Sequence, residues 1–158
     1  MVEPLADWVI ERIGQAAELY HRLVMLVAPA GSGKTVALQE VHKRTAAALV
    51  NVNLELSRGM LDLTSRQRAL QLPRLLAEIV GASAADVVLL DNLEVLFDVS
   101  LKQDPLRLLQ GLSRNKTVVA AWSGSIDGEY VVYATPDHPE YKRYPLRDFL
   151  VVNPDAVA

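Results

Sequence analysis

The sequence predicts an α/β fold with a mostly parallel sheet covered by helices on both faces, and three observations predict it. Short, wholly apolar runs recur, LVMLVA (23–28), the body of DVVLLD (86–91) and most of TVVAAWS (117–123), as in strands buried on both faces. Between them lie segments whose apolar residues recur at helical spacing, and strands alternating with helices give a parallel sheet. A glycine-containing stretch directly follows the first run, at the strand end where such sheets place ligands.

Taken in order, residues 4–23 read as an amphipathic helix. Pro4 suits a first turn, and Leu5, Trp8, Val9, Ile13, Ala16, Ala17, Tyr20 and Leu23 fall on one face. After the strand LVMLVA and the glycine loop, TVALQEVHKRTAAA supplies a second helix. ALVNVNLEL (48–56) alternates and predicts another strand. TSRQRALQLPRLLAEIVG (64–81) predicts a helix opened by Thr64 or Ser65 and closed by Gly81, with Pro73 expected to kink or split it. DVVLLD is a buried strand, DPLRLLQGLSR (104–114) a helix, and TVVAAWS a fourth strand. GEYVVY then alternates like a hairpin partner or edge strand. Over 136–158 the spacing of prolines and tyrosines predicts an irregular tail.

Composition narrows the function classes. At 158 residues the whole chain, 1–158, reads as one domain, and 51% hydrophobic with 22% charged residues is a globular composition. The absence of cysteine excludes disulfides, thiolate catalysis and thiolate-ligated metals. His21, His42 and His138 make no metal-ligand spacing. The N-terminal stretch MVEPLADWVIERIG has no basic leader, and the longest uncharged apolar run falls far short of the roughly 20 residues that span a bilayer. A soluble, cytoplasmic protein with no membrane partner is the expectation. A net charge of −3 argues against coating nucleic acid through the overall field, though not against a local basic face.

The chemistry concentrates in APAGSGKT (28–35), which is G-x-x-x-x-G-K-[ST] with Ala28 in place of the first glycine. In a strand–loop–helix, successive backbone N–H groups curl around a phosphate and the helix N-terminus adds its dipole. Gly31 and Gly33 permit the curl, Lys34 reaches the β- and γ-phosphates, and Thr35 offers a hydroxyl to Mg²⁺. Ala28 precedes the curled part, so a methyl there is tolerable at negative φ. The nucleotide contacts fall on Pro29, Ala30, Gly31, Ser32, Gly33, Lys34, Thr35 and Val36, with ATP and Mg²⁺ as the ligands. No N-K-x-D guanine-reading motif occurs, which favours ATP over GTP. The other reading is a helix-opening turn with a surface lysine.

Asp91 ends an apolar strand and is the expected second Mg²⁺ ligand, as in a Walker B segment; Asp91-Asn92-Leu93-Glu94 equally fits a capping box. Asn92 stands where related ATPases commonly carry a water-activating Glu. Glu94 takes that role from the next turn, or hydrolysis is slow or needs a partner. Ser123 fits a polar sensor of the γ-phosphate, or an ordinary Ser-Gly turn with Ser125, whereas Trp122 reads as core. Arg58, Arg66, Arg68, Arg74, Arg107 and Arg114 are all possible transition-state cations. Arg114, just before the last strand, is placed to serve a neighbouring subunit, or is a solvated helix-end arginine.

Two basic stretches stand out: Arg58, Arg66, Arg68 and Arg74, and Lys142, Arg143 and Arg147 interleaved with Tyr141 and Tyr144. Either suits double-stranded DNA, protein or plain solvent. The remainder after Ser123 is too short and proline-broken for a C-terminal helical lid. The expected fold is a minimal three-layer P-loop NTPase core.

APAGSGKT, NVNLELSR, LPRLLAEIV, LLDNLEVLF and QDPLRLLQGLSRNKTVVAAWSG with the Pro/Tyr-rich end resemble BrxF, the family of small P-loop proteins encoded in type 3 BREX phage-defence systems. The resemblance runs from about residue 5 to about residue 147, and only the first motif is strongly specific. It implies a role in bacterial defence, with other BREX components and DNA as partners. It maps the family's P-loop onto Gly31, Gly33, Lys34 and Thr35 and its acidic strand end onto Asp91. The expectation is an ATP-binding, ATP-hydrolysing, self-associating component. A non-hydrolysing nucleotide-bound adaptor and a small-molecule kinase are the alternatives.

Overall fold

The computed structural model of the chain describes residues 2–154, with side chains from Leu5 onward. In chain order, α1 (Val2–Ala16) leads to β1 (Leu23–Ala28), α2 (Lys34–Arg44), β2 (Ala48–Asn51), α3 (Val52–Met60), α4 (Ser65–Gly81) and β3 (Val87–Asp91). Two 3-10 turns (Glu94–Phe97 and Val99–Leu101) precede α5 (Pro105–Leu112) and β4 (Thr117–Ser123). Four short strands follow: β5 (Ser125–Asp127), β6 (Tyr130–Tyr133), β7 (Lys142–Pro145) and β8 (Leu150–Val152).

The fold is α/β, as expected. The central sheet has five strands in the order β2-β3-β4-β1-β8, and every pairing in it is parallel. Its apolar runs are continuous because both faces are covered. On β1, Leu23, Met25 and Val27 join Leu56, Leu76 and Leu109 of α3, α4 and α5. Val24 and Leu26 point the other way, to Val9 of α1 and Leu38 and Val41 of α2. Trp122 is buried in the first of these cores, as its sequence context predicted. No helix among the described residues is long and apolar enough to cross a membrane.

Four elements differ from the sequence reading. The first helix stops at Ala16, and the chain turns through exposed Leu19 and Tyr20 so that Arg22 N–H can reach Ser113 O (3.0 Å) and set β1 beside β4. The strand predicted over 48–56 ends at Asn51. Its side-chain oxygen accepts from Leu54 N–H (3.1 Å), capping α3, and Val52, Leu56 and Met60 are buried at four-residue spacing. The alternation of VNVNLEL is thus half strand and half helix.

Pro73 does not split α4, which the Thr64–Gln67 capping box opens (2.9 and 3.2 Å). A proline there removes the hydrogen bond to Ala69 O. The Gln103 side-chain amide donates to that carbonyl instead, at 2.8 Å.

The irregular tail expected over 136–158 gives way, within the described residues, to β7 and β8. β8 completes the central sheet beside β1 (Val24↔Leu150, Leu26↔Val152). β7 joins β5 and β6 in an antiparallel sheet, with Tyr130↔Pro145 and Tyr133↔Lys142 in register. Segments of three and four residues satisfy no long pattern, so a paired backbone rather than periodicity defines them. The hairpin of β5 and β6 itself was legible, with Gly128 at φ 60° in its turn.

Candidate functional site

The parallel register brings the carboxyl ends of β1, β3 and β4 together. Ala28 pairs with Ser123, and β4 separates β1 from the strand that carries Asp91. Beyond these ends opens a cleft of about 790 Å³. Ala28 itself is buried in the sheet and outside the cleft, so its methyl obstructs nothing there.

The loop leaves Ala28 and passes Gly31 at φ 77° and Gly33 at φ 96°, values that cost a side-chain-bearing residue about 1–2 kcal/mol. A Cβ built on either glycine would meet nothing within 4 Å. Backbone conformation, rather than crowding within the chain, therefore demands glycine, and bare backbone faces the opening. Gly33 caps α2 without a side-chain bond, and the Ala37 N–H is the first to be paired there, with Gly33 O at 3.0 Å. The N–H groups of Lys34, Thr35 and Val36 precede it at the positive end of the helix.

Ala30, Gly31, Gly33, Lys34, Thr35 and Val36 line the cleft. Pro29 and Ser32, also expected as contacts, lie outside that lining. The Ser32 hydroxyl turns back onto Pro29 O and closes the loop on itself.

Lys34 is only 7% exposed, and its ammonium donates to Ala28 O and Pro29 O, each at 2.9 Å. Burial lowers its pKa, against the opposing pull of the Glu94 and Asp91 carboxylates. The amine thus sits at the head of the loop, held by neutral carbonyls in sight of two acids. Thr35 Oγ1 donates to Asp91 Oδ2 at 2.7 Å, and the other Asp91 oxygen accepts from Asn92 N–H at 2.9 Å.

Asn92 adopts φ 57° and turns the chain out of β3. The capping box open to Asp91 and Glu94 does not form. Leu93, without a side-chain bond, precedes the turn Glu94–Phe97. Glu94 instead projects over the cleft, where its Oε2 accepts from Ser123 Oγ at 2.8 Å. Asp91, Glu94, Ser123, Lys34 and Thr35 are therefore gathered in one place. Ser125 opens β5 and lies outside the cleft lining.

Arg114 is elsewhere. It precedes the amino end of β4, the opposite end of the sheet, where its guanidinium lies 5.6 Å over the exposed Tyr20 ring. Seven strand residues at about 3.3 Å each separate that end from the cleft, so Arg114 cannot serve its own site. The basic stretches are partly occupied locally: Arg58 pairs with Glu55, Arg74 with Glu78, and Arg68 donates to Leu63 O. Arg143 stacks 3.5 Å over the Tyr130 ring, and Tyr144 donates to Asp104 at 2.7 Å rather than standing free.

The far wall of the cleft went unread in the sequence. Tyr133, Ala134, His138 and Glu140, from the end of β6 and the following turn, face the loop. Their only signal was position, in a hairpin that starts directly after Ser123. Among the described residues no cluster of three or more His, Asp or Glu residues could hold a metal alone. No family model, curated protein or solved structure matches the chain.

Proposed function

We propose that this chain is a P-loop protein that binds Mg²⁺-ATP and hydrolyses it, working as a nucleotide-dependent, self-associating component of a BREX-type phage-defence complex that engages DNA. One observation carries the nucleotide reading. A near-buried lysine and a Thr–Asp pair stand at the head of a two-glycine loop where parallel strands end over a cleft. The defence role rests on the resemblance alone.

The residues fit the ligands. Loop backbone and the first turn of α2 offer several N–H groups with no side chain in front of them, which suits a polyphosphate. Lys34 exchanges two carbonyl oxygens for phosphate oxygens, a gain in charge complementarity. Mg²⁺ is held by few protein groups and completes its shell with phosphate and water. The Thr35 hydroxyl and the Asp91 carboxylate, already 2.7 Å apart, would hold it. Bound there, the ion neutralises charge on the phosphate oxygens.

Glu94 is a cleft carboxylate not engaged with Thr35, and it is held at the strand end by Ser123. It accepts the proton of the attacking water as that oxygen bonds to the γ-phosphorus and the bond to ADP breaks. The Ser123 hydroxyl holds it in place. Asn92, which occupies the expected base position and turns away at φ 57°, favours the second reading, an adaptor that binds ATP without turnover.

The test is equilibrium binding of Mg²⁺-ATP and steady-state phosphate release, with and without double-stranded DNA, for wild type, Lys34→Ala and Glu94→Gln. Lys34→Ala should abolish binding, and Glu94→Gln should bind but not turn over. Equal binding by wild type and Lys34→Ala would end the nucleotide reading. Binding without release identifies the adaptor, and phosphate transfer to a metabolite identifies a kinase.

A further inference from the structure

We propose that Tyr133 is a further residue of this site, its hydroxyl a fixed donor to the terminal phosphate group of the bound nucleotide. This rests on the nucleotide reading above. Four observations on the far wall of the cleft carry it.

The ring is immobilised. It stacks face to face on Phe97 (3.6 Å between centroids, 11° between planes) and meets Trp122 edge-on at 6.2 Å. The backbone beneath it is fixed by pairing with Lys142 of β7, and Ala134, next in the chain, takes φ 65° as the strand breaks off. A residue held on both sides in this way presents its hydroxyl in one place.

The hydroxyl lacks a partner. Tyr133 lines the cleft, and no hydrogen bond to its oxygen exists among the described residues. The other tyrosine near Trp122 differs: Tyr144 spends its hydroxyl on Asp104.

The hydroxyl stays protonated. Burial and the charges of Glu140 and Glu94 push its pKa up to about 12, so at neutral pH it is an O–H donor. Those carboxylates would repel an anion brought to this wall. A neutral donor beside them is the group that a phosphate oxygen can approach.

The position is beside the turn that carries Glu94. Phe97, on which the Tyr133 ring stacks, closes the turn that Glu94 opens, and Glu94, Lys34 and Tyr133 line the same cleft. On the nucleotide reading Glu94 meets the γ-phosphorus, so the end of a phosphate chain, rather than its inner phosphates, lies toward the turn that Tyr133 stacks on.

Tyr133→Phe keeps the ring and removes only the donor. The comparison is the affinity of Mg²⁺-ATP and Mg²⁺-ADP for wild type, Tyr133→Phe and Lys34→Ala by calorimetry, with near-ultraviolet circular dichroism to check the aromatic cluster. A hydrogen bond to a charged group corresponds to roughly 10- to 100-fold in affinity. The expected result is a loss of that size for ATP, little change for ADP, and an unchanged aromatic spectrum. Unchanged ATP affinity in Tyr133→Phe, or an equal loss for ATP and ADP, overturns the assignment. If wild type binds neither nucleotide, the nucleotide reading itself has failed and this assignment falls with it. Loss in Lys34→Ala alone leaves that reading standing and removes Tyr133 from the site.

Discussion

Gly124 joins the end of β4 to the hairpin, and its replacement by alanine tests whether that hairpin is packed as described. A Cβ built there lies 2.0 Å from Val132 O and 2.8 Å from Trp122 Nε1. It would stand between the two partners of a hydrogen bond, the 3.2 Å contact of Trp122 Nε1–H with Val132 O. Neither neighbour can give way cheaply, because one is backbone and the other is the ring of a tryptophan 1% exposed. Stranding a buried indole N–H costs about 1–3 kcal/mol. Displacing β6 to relieve the overlap adds about 1–3 kcal/mol, as for other overpacked sites. The sum, about 2–6 kcal/mol, is a large part of the roughly 5–15 kcal/mol that holds a domain folded. At about 2–4 °C per kcal/mol, Tm should fall by about 4–24 °C. Thermal unfolding followed by near-ultraviolet circular dichroism reads both the midpoint and the Phe97–Trp122–Tyr133 cluster. A Gly124→Ala protein that melts within a degree of wild type with the same aromatic spectrum would refute the close packing of β6 on β4.

Thr35→Val keeps shape but leaves the near-buried Asp91 carboxylate without its 2.7 Å donor. ATP binding should then require more Mg²⁺; an unaltered Mg²⁺ dependence in a titration would remove Thr35 from the metal's ligands. Asn51→Ala deletes the cap of α3 and should lower urea-derived stability by about 1 kcal/mol at constant m value, and no change would show the cap to be energetically idle. The folded-state pKa of Tyr133 is raised from 10 to about 12, so the native state holds the proton longer than the unfolded chain does. Stability from this group is complete below pH 10 and falls as pH rises toward 12. Denaturation series between those values should show a shallower fall in Tyr133→Phe; parallel curves would contradict the shift.

The central strands β1, β3 and β4 were legible because each is buried on both faces, which writes a short unbroken apolar run. The glycine loop was legible because two left-handed backbone positions ahead of a helix restrict residue type at fixed spacing, and Lys34, Thr35 and Asp91 do come together. Asn51 was misread because its decisive act, accepting from Leu54 N–H, leaves the alternation around it intact. Of the kink or split expected at Pro73, the split does not occur, and Gln103, which supplies the missing bond, comes from a distant segment. β8 and the wall formed by Tyr133, His138 and Glu140 depend on pairings and contacts between segments far apart in sequence. Local pattern carries no trace of such partners, and a tertiary fold was needed to find them.

The position of β1 within the sheet governs how the molecule can assemble in time. The strand that launches the glycine loop has two neighbours, and both come late in the chain: Leu23 pairs with Val118, and Val24 with Leu150. An apolar strand made early must wait, unpaired on both edges, until residues far downstream arrive. Such long-range closures are slow to form and leave strand edges open to wrong partners in the meantime. During synthesis β4 comes before the hairpin wall, and the second support, β8, only after it. A chain interrupted before residue 150 would expose one full edge of β1 beside the cleft. The loop thus gains the strand pairs that support it only from segments that follow it far along the chain.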